Sequence, residues 1–193
     1  MIHKLLVFIG LAVSFMACSG GSSGPKFDLK GFQTESVGGG AKYASFKDQN
    51  GWPLSTGHVI NDVKNGVWLT YHPNSYNVKT ASNYVNGKKN GPEFNFSERG
   101  SLESVTGYRN DQLHGLSASY RNGRTMGETN YANGVMHGPF SIYDERSGKI
   151  QRSGFFSNGK QHGELLYYDD QGNITLRYEY NEGEKVGGGI IEQ

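Results

Sequence analysis

From Lys42 onward the chain alternates apolar and polar positions in runs of about six residues, with short polar clusters between the runs. A period of two is the pattern of β-strands, whose successive side chains point to opposite faces. The run length also matches an ordinary strand. The clusters contain Asn-Gly and Asp-x-x-Gly, residues that accept positive φ and so favour hairpin turns. No stretch of this region sustains a 3.6-residue period, so no long helix is expected.

The clusters recur. Six glycines close them, Gly66, Gly91, Gly115, Gly138, Gly163 and Gly187, at spacings of 25, 24, 23, 25 and 24 residues. Upstream of most stands an aromatic-x-Asn-Gly element, as in Tyr84–Gly87, Tyr131–Gly134 and Phe156–Gly159. The first copy has Asn61-Asp62 at the turn, the third carries Asp111 where Gly is expected, and the last has Glu182 for Asn before Gly183. Gly87, Gly134, Gly159 and Gly183 are thus read as opening loops that the six glycines close. Five residues after each of the first five closing glycines comes an aromatic: Tyr71, Phe96, Tyr120, Tyr143 and Tyr168. A second set of turns follows, at Arg99-Gly100, Asn122-Gly123, Ser147-Gly148 and Gln171-Gly172, with Gly51 in a preceding half-copy.

A fixed period of this length marks a repeat architecture. The expected fold is all-β, an elongated single antiparallel sheet of repeated hairpins over residues 42–193. Six periods of two strands at ~4.8 Å each would advance on the order of 55–60 Å. Residues 18–41 read as a tether and loose lead-in, in which Phe27 and Phe32 would cap the first hairpin.

After each closing glycine the odd positions, such as Val67, Leu69, Tyr71, Pro92, Phe94 and Phe96, are mostly apolar, and the even positions are mixed. On the even face Trp68, Phe140 and Tyr167, with Trp52 beside the array, either form the core of a thin sheet or stand exposed as an aromatic strip. An exposed strip would bind protein, peptide or glycan, and these four are the candidate binding residues.

Composition narrows the class. The chain has 193 residues, 29 of them glycine and only 5 proline, with 12 tyrosines and 10 phenylalanines. Charge is nearly balanced, 19 basic residues against 18 acidic, which argues against a nucleic-acid partner, since such domains need a positive footprint. The first residues differ in kind. Lys4 precedes the apolar run Leu5–Leu11 and beyond, the pattern of a signal peptide over residues 1–17 and too short for a membrane span. Cys18, the only cysteine, follows directly, so no intramolecular disulfide is possible. Residues 19–25, Ser-Gly-Gly-Ser-Ser-Gly-Pro, read as a flexible linker.

Phe15-Met16-Ala17-Cys18 resembles the lipobox of bacterial lipoproteins, with Phe15 where that family usually has Leu. The resemblance implies cleavage before Cys18, acylation of Cys18 and a membrane anchor in the cell envelope. Ser19, which is not Asp, favours the outer membrane over the inner. The aromatic, paired glycines and following aromatic of residues 42–188 resemble the bacterial variant of MORN repeats, in proteins often labelled YwqK-family antitoxins. That resemblance implies a row of hairpins, each packing on its neighbours.

Other motifs carry no chemistry. Gly20-Gly21-Ser22-Ser23-Gly24 matches a nucleophile elbow in letters, but that elbow needs a strand before it and a helix after it. His114, His137 and His162 precede closing glycines, yet equivalent residues two strands apart lie roughly 9.5 Å from each other. Zinc wants donors converging at ~2.0–2.1 Å, so these read as turn residues bonding local backbone. Asp144-Glu145 and Asp169-Asp170 read as solvated turn residues. The chain is therefore expected to hold no catalytic residues, metal or cofactor. The expected function is a non-enzymatic envelope lipoprotein whose repeat array binds or scaffolds a protein partner. The alternatives are an antitoxin or immunity-type neutraliser of a toxin, and a cell-wall glycan-binding module.

Overall fold

A computed structural model describes residues 24–191; the signal-peptide and Cys18 readings lie outside them. The strands are β1 (Gln33–Gly38), β2 (Ala41–Lys47), β3 (Pro53–Ile60), β4 (Val63–Tyr71) and β5 (Val78–Val85), followed by β6 (Lys88–Phe96), β7 (Leu102–Arg109), β8 (Gln112–Arg121), β9 (Arg124–Ala132) and β10 (Val135–Tyr143). Then come β11 (Ile150–Ser157), the short β12 (Lys160–Gln161), β13 (Gly163–Tyr168), β14 (Ile174–Asn181) and β15 (Glu184–Ile190). All belong to one 15-stranded sheet in which each strand pairs antiparallel with its sequence neighbour, β12 and β13 both pairing β11. The fold is all-β, a single open sheet of consecutive hairpins. Fourteen strands lie on the continuous path, so thirteen steps of ~4.8 Å set its length near ~60 Å.

The sheet begins at Gln33, inside the segment read as lead-in. β1 is exposed along its whole length and carries polar residues and Glu35 on a free edge, a usual way of blunting an edge strand. Only residues 24–32 cross the sheet as lead-in. Phe27 and Phe32 cap it there, their rings 4.9 and 6.1 Å from the Trp68 ring.

The Asn-Gly elements make two-residue turns with both φ positive. Examples are Asn86 (49°) with Gly87 (79°) and Asn133 (51°) with Gly134 (89°). The closing glycines differ from the reading above. They do not end loops; they sit inside the second strand of each hairpin, at the centre of a bulge. In β5–β6, Ser82 pairs Glu93 and Tyr84 pairs Lys89, so Asn90, Gly91 and Pro92 face Asn83 alone. The same three-to-one mismatch recurs in β3–β4, β7–β8 and β9–β10. Two extra residues preserve the alternation of faces, whereas one would flip every later side chain. Gly91 (φ 106°) and Gly138 (φ 114°) supply the backbone conformation that the bulge needs.

The last hairpin departs from this pattern. Between the pairs Tyr180–Lys185 and Glu179–Gly187 only Val186 is extra. Positive φ falls on Gly188 (94°) and not on Gly187. β15 is an edge strand among the described residues.

Neighbouring hairpins are laced at their turns. The N–H of Gly87 donates to the Lys64 carbonyl, Asp111 to Lys89, Gly134 to Leu113, Gly159 to Met136 and Gly183 to Gln161, at 2.8–2.9 Å. Each acceptor lies two residues before a bulge glycine. Every turn thus binds the hairpin before it.

Candidate functional site

The two faces of the sheet are built differently. One, the inner-packed face, carries Trp68, Ser82, Glu93, Thr106, Ser117, Thr129, Phe140, Leu165 and Tyr178 in one row across the strands. The large side chains here lie over glycines. A Cβ on Gly57 would sit 2.2 Å from Trp68 Cδ2, and one on Gly154 would sit 2.7 Å from Phe140 Cε1. Each ring fills the space a side chain would occupy, which is why Trp68 is 3% exposed and Phe140 7%. Trp68 is further held by its Nε1–H, which donates to the His58 carbonyl at 2.9 Å.

This corrects the exposed-strip reading. Trp68 and Phe140 are core residues. Tyr167 is half-buried on the same face and meets Tyr178 edge-on at 6.2 Å. Trp52 is half-buried at a turn, against exposed Tyr76. Polar residues separate Trp68 from Phe140 in the row: Ser82 donates to Glu93 Oε2 at 2.5 Å, and Thr106 meets Ser117 at 3.5 Å.

Beside this row runs a column of aromatics and cations. Lys64 Nζ lies 4.3, 4.4 and 5.0 Å from the Phe27, Trp68 and Tyr84 ring centres. Burial, then the charge of Lys89, lowers the Lys64 pKa. Lys89 is itself partly buried, which works against its charge, but the hydrogen bond and charge of Glu93 at 2.5 Å outweigh this and raise its pKa. Burial raises the Tyr84 hydroxyl. These contacts are satisfied within the chain.

The other face presents an exposed apolar stripe. The residue after each of the first four bulge glycines, Val67, Pro92, Leu116 and Pro139, is exposed, and Phe155 pairs with Pro139 beside the last of them. Proline is tolerated in these strands because each lies in the bulge on the side of the preceding strand. Asn83 and Asn130 stand between them and donate from Nδ2 to the Pro92 and Pro139 carbonyls at 2.7 and 2.9 Å. The stripe repeats every hairpin, roughly every ~9.5 Å. Val67 and Pro92 were assigned above to the apolar face of the strands; their place beside a bulge is revealed only by the strand pairing. On this face Tyr71, Tyr143 and Tyr168 are tied by their hydroxyls to Thr56, Glu128 and Ser153 at 2.9–3.1 Å.

The histidines serve the lacing of turns. His114 Nδ1 accepts from the Asn133 N–H at 3.4 Å and His137 Nδ1 from the Asn158 N–H at 3.3 Å, as Asn65 Oδ1 does from Asn86 at 3.2 Å. His162 faces Glu182 at 4.0 Å instead, and its Nδ1 has no partner. No group of three or more His, Cys, Asp or Glu side chains stands close enough to hold a metal ion among the described residues.

The acids at the opposite turns bond their own backbone. Asp144 Oδ1 accepts from the Ser147 N–H at 2.8 Å and Arg146 N–H at 3.1 Å, and Asp169 Oδ1 from Asn173 at 2.8 Å and Gln171 at 2.9 Å. The Ser147 bonds hold Asp144 below its ordinary pKa, and the Asn173 side chain does the same for Asp169. A polar hollow beside Asp144 is lined by Asn122, Arg124, Asp144, Glu145 and Arg146. Arg121 pairs Glu145 at 2.7 Å there, and Arg124 donates to the Glu145 and Arg146 carbonyls. No protein-family model matches this chain, and no curated protein matches it.

Proposed function

We propose that this chain is a non-enzymatic binding protein of a bacterial envelope, a MORN-variant repeat array held at a membrane through acylated Cys18 and offering its surface to a protein partner. The observation that carries the binding role is the stripe of Val67, Pro92, Leu116 and Pro139, apolar, exposed and one per hairpin over four hairpins, with Phe155 beside Pro139. Exposed apolar ladders of this kind are costly to keep in water and mark contact surfaces. A partner with apolar groups at a matching repeat would engage several rungs together. The anchor rests on Cys18 and the run before it.

The test places photo-crosslinking residues at Leu116 and Phe155, and separately at Lys79 on the same face, in intact cells. A partner captured at Leu116 and Phe155, and lost at least ~10-fold on Leu116→Ser with Phe155→Ser while the strand signal in circular dichroism holds, supports the reading. Equal capture from Lys79, or none from the stripe, sinks it. An envelope toxin as the captured partner would specify the neutraliser version. Labelling with a palmitate analogue, abolished by Cys18→Ser, tests the anchor separately.

A further inference from the structure

We infer that a depression on the inner-packed face, beside the Phe140 ring that covers Gly154, is a binding site for a carboxylate carried on a short apolar group. It lies where Phe140 and Ile142 of β10, Arg152 and Phe156 of β11, and Leu165 of β13 meet. The cavity is about 230 Å³, room for roughly eight water-sized groups at ~30 Å³ each. Its floor is Phe140 and Leu165, 7% and 4% exposed, and its walls are Ile142 and Phe156.

Three polar groups reach it, from Thr129, Arg152 and Gln161. Arg152 lies 5.8 Å from the centres of both the Phe140 and Tyr167 rings, which fixes its guanidinium over the apolar floor. Among the described residues it pairs with no carboxylate, although Arg121 and Arg177 do. Gln161 Nε2 is buried and has no hydrogen-bond partner. A guanidinium and an amide nitrogen only donate, and a threonine hydroxyl can donate. Donors converging over an apolar floor, one of them cationic and one buried without an acceptor, suit an acceptor-only anion. A carboxylate takes two parallel bonds from one arginine, and the floor suits an apolar group beside it. At the polar hollow of the turns Arg121 and Arg124 are satisfied by Glu145 and by backbone carbonyls; Arg152 has no such partner. The C-terminal residue of a peptide ending in Leu and a short fatty acid share this chemistry. The site lies on the face opposite the stripe and stands whether or not that stripe binds protein.

Methyl NMR of the full chain in detergent micelles, titrated with N-acetyl-leucine, hexanoate, N-acetyl-leucinamide and inorganic phosphate, tests it. Shifts at Leu165 and Ile142 with either carboxylate, at least ~10-fold weaker in Arg152→Gln and partly kept in Arg152→Lys, support the site. Stronger binding by N-acetyl-leucine than by hexanoate points to peptide ends, and the reverse to fatty acids. Gly154→Ala, whose Cβ meets the Phe140 ring, should abolish both. Equal shifts with the amide, a preference for phosphate, no shift with any carboxylate, or unchanged affinity in Arg152→Gln with distant methyl signals intact would each overturn it.

Discussion

Glu182 stands with φ 49° at the first position of the last two-residue turn, where three other copies have Asn followed by Gly. A side chain other than Asn or Asp in this conformation costs of order 1–3 kcal/mol. Its pairs with Lys160 at 3.8 Å and His162 at 4.0 Å are exposed and give back little. Glu182→Asn should therefore stabilise the β14–β15 hairpin by about 0.5–1 kcal/mol, read as slower amide exchange at Tyr180 and Lys185, with the β5–β6 hairpin unchanged. Asp144 and Asp169 make a pH prediction. Both have depressed pKa values in the folded chain, so their contribution is complete above the ordinary value of 3.8 and is lost as the pH falls below it. Thermal melts from about pH 5 down to about pH 2 should fall more steeply for the parent chain than for the Asp144→Asn, Asp169→Asn double variant.

At the level of the hairpin, what was readable in the sequence was whatever is decided locally. The period, the Asn-Gly turns and the parity of each strand all follow from φ preferences and alternation within a dozen residues. Coverage was not readable, because it depends on other strands. Trp68 is buried by Gly57 and by Phe27, and Phe140 by Gly154; nothing next to either ring announces it. The bulges were hidden for the same reason, since Gly91 looks like a loop end until Tyr84 is paired with Lys89. β1 was missed because Gln33–Gly38 is almost wholly polar. Bulge geometry separates two glycines that the sequence aligns. Gly138→Ala places a Cβ 3.0 Å from Asn130 Cβ at φ 114° and should cost about 1–3 kcal/mol. Gly187→Ala, with ordinary φ and its nearest atom at 3.9 Å, should cost under about 1 kcal/mol. Urea midpoints for the two variants compare them directly.

At the scale of the sheet, no second layer covers it beyond residues 24–32 among the described residues, so each hairpin is held by its two neighbours and by the lacing of turns. The stripe and the depression beside Phe140 were beyond sequence reading, because each assembles residues from several hairpins. Only parts of the stripe were in view, such as Pro92 inside a strand-like run.

The lacing has a mechanical meaning. The edge strands of the sheet among the described residues are β1 and β15, so tension applied between these two strands runs along the hydrogen bonds and peels strands off one after another. Such an array yields as a zipper at low force, releasing a hairpin of about 24 residues, or ~80 Å of contour, at each step. Optical-tweezer traces should show a staircase with that spacing, and a single rip of the whole sheet would contradict it. Attached at one end and loaded at the other, the sheet would serve as a measured length of slack that pays out by the hairpin and winds back when the load drops.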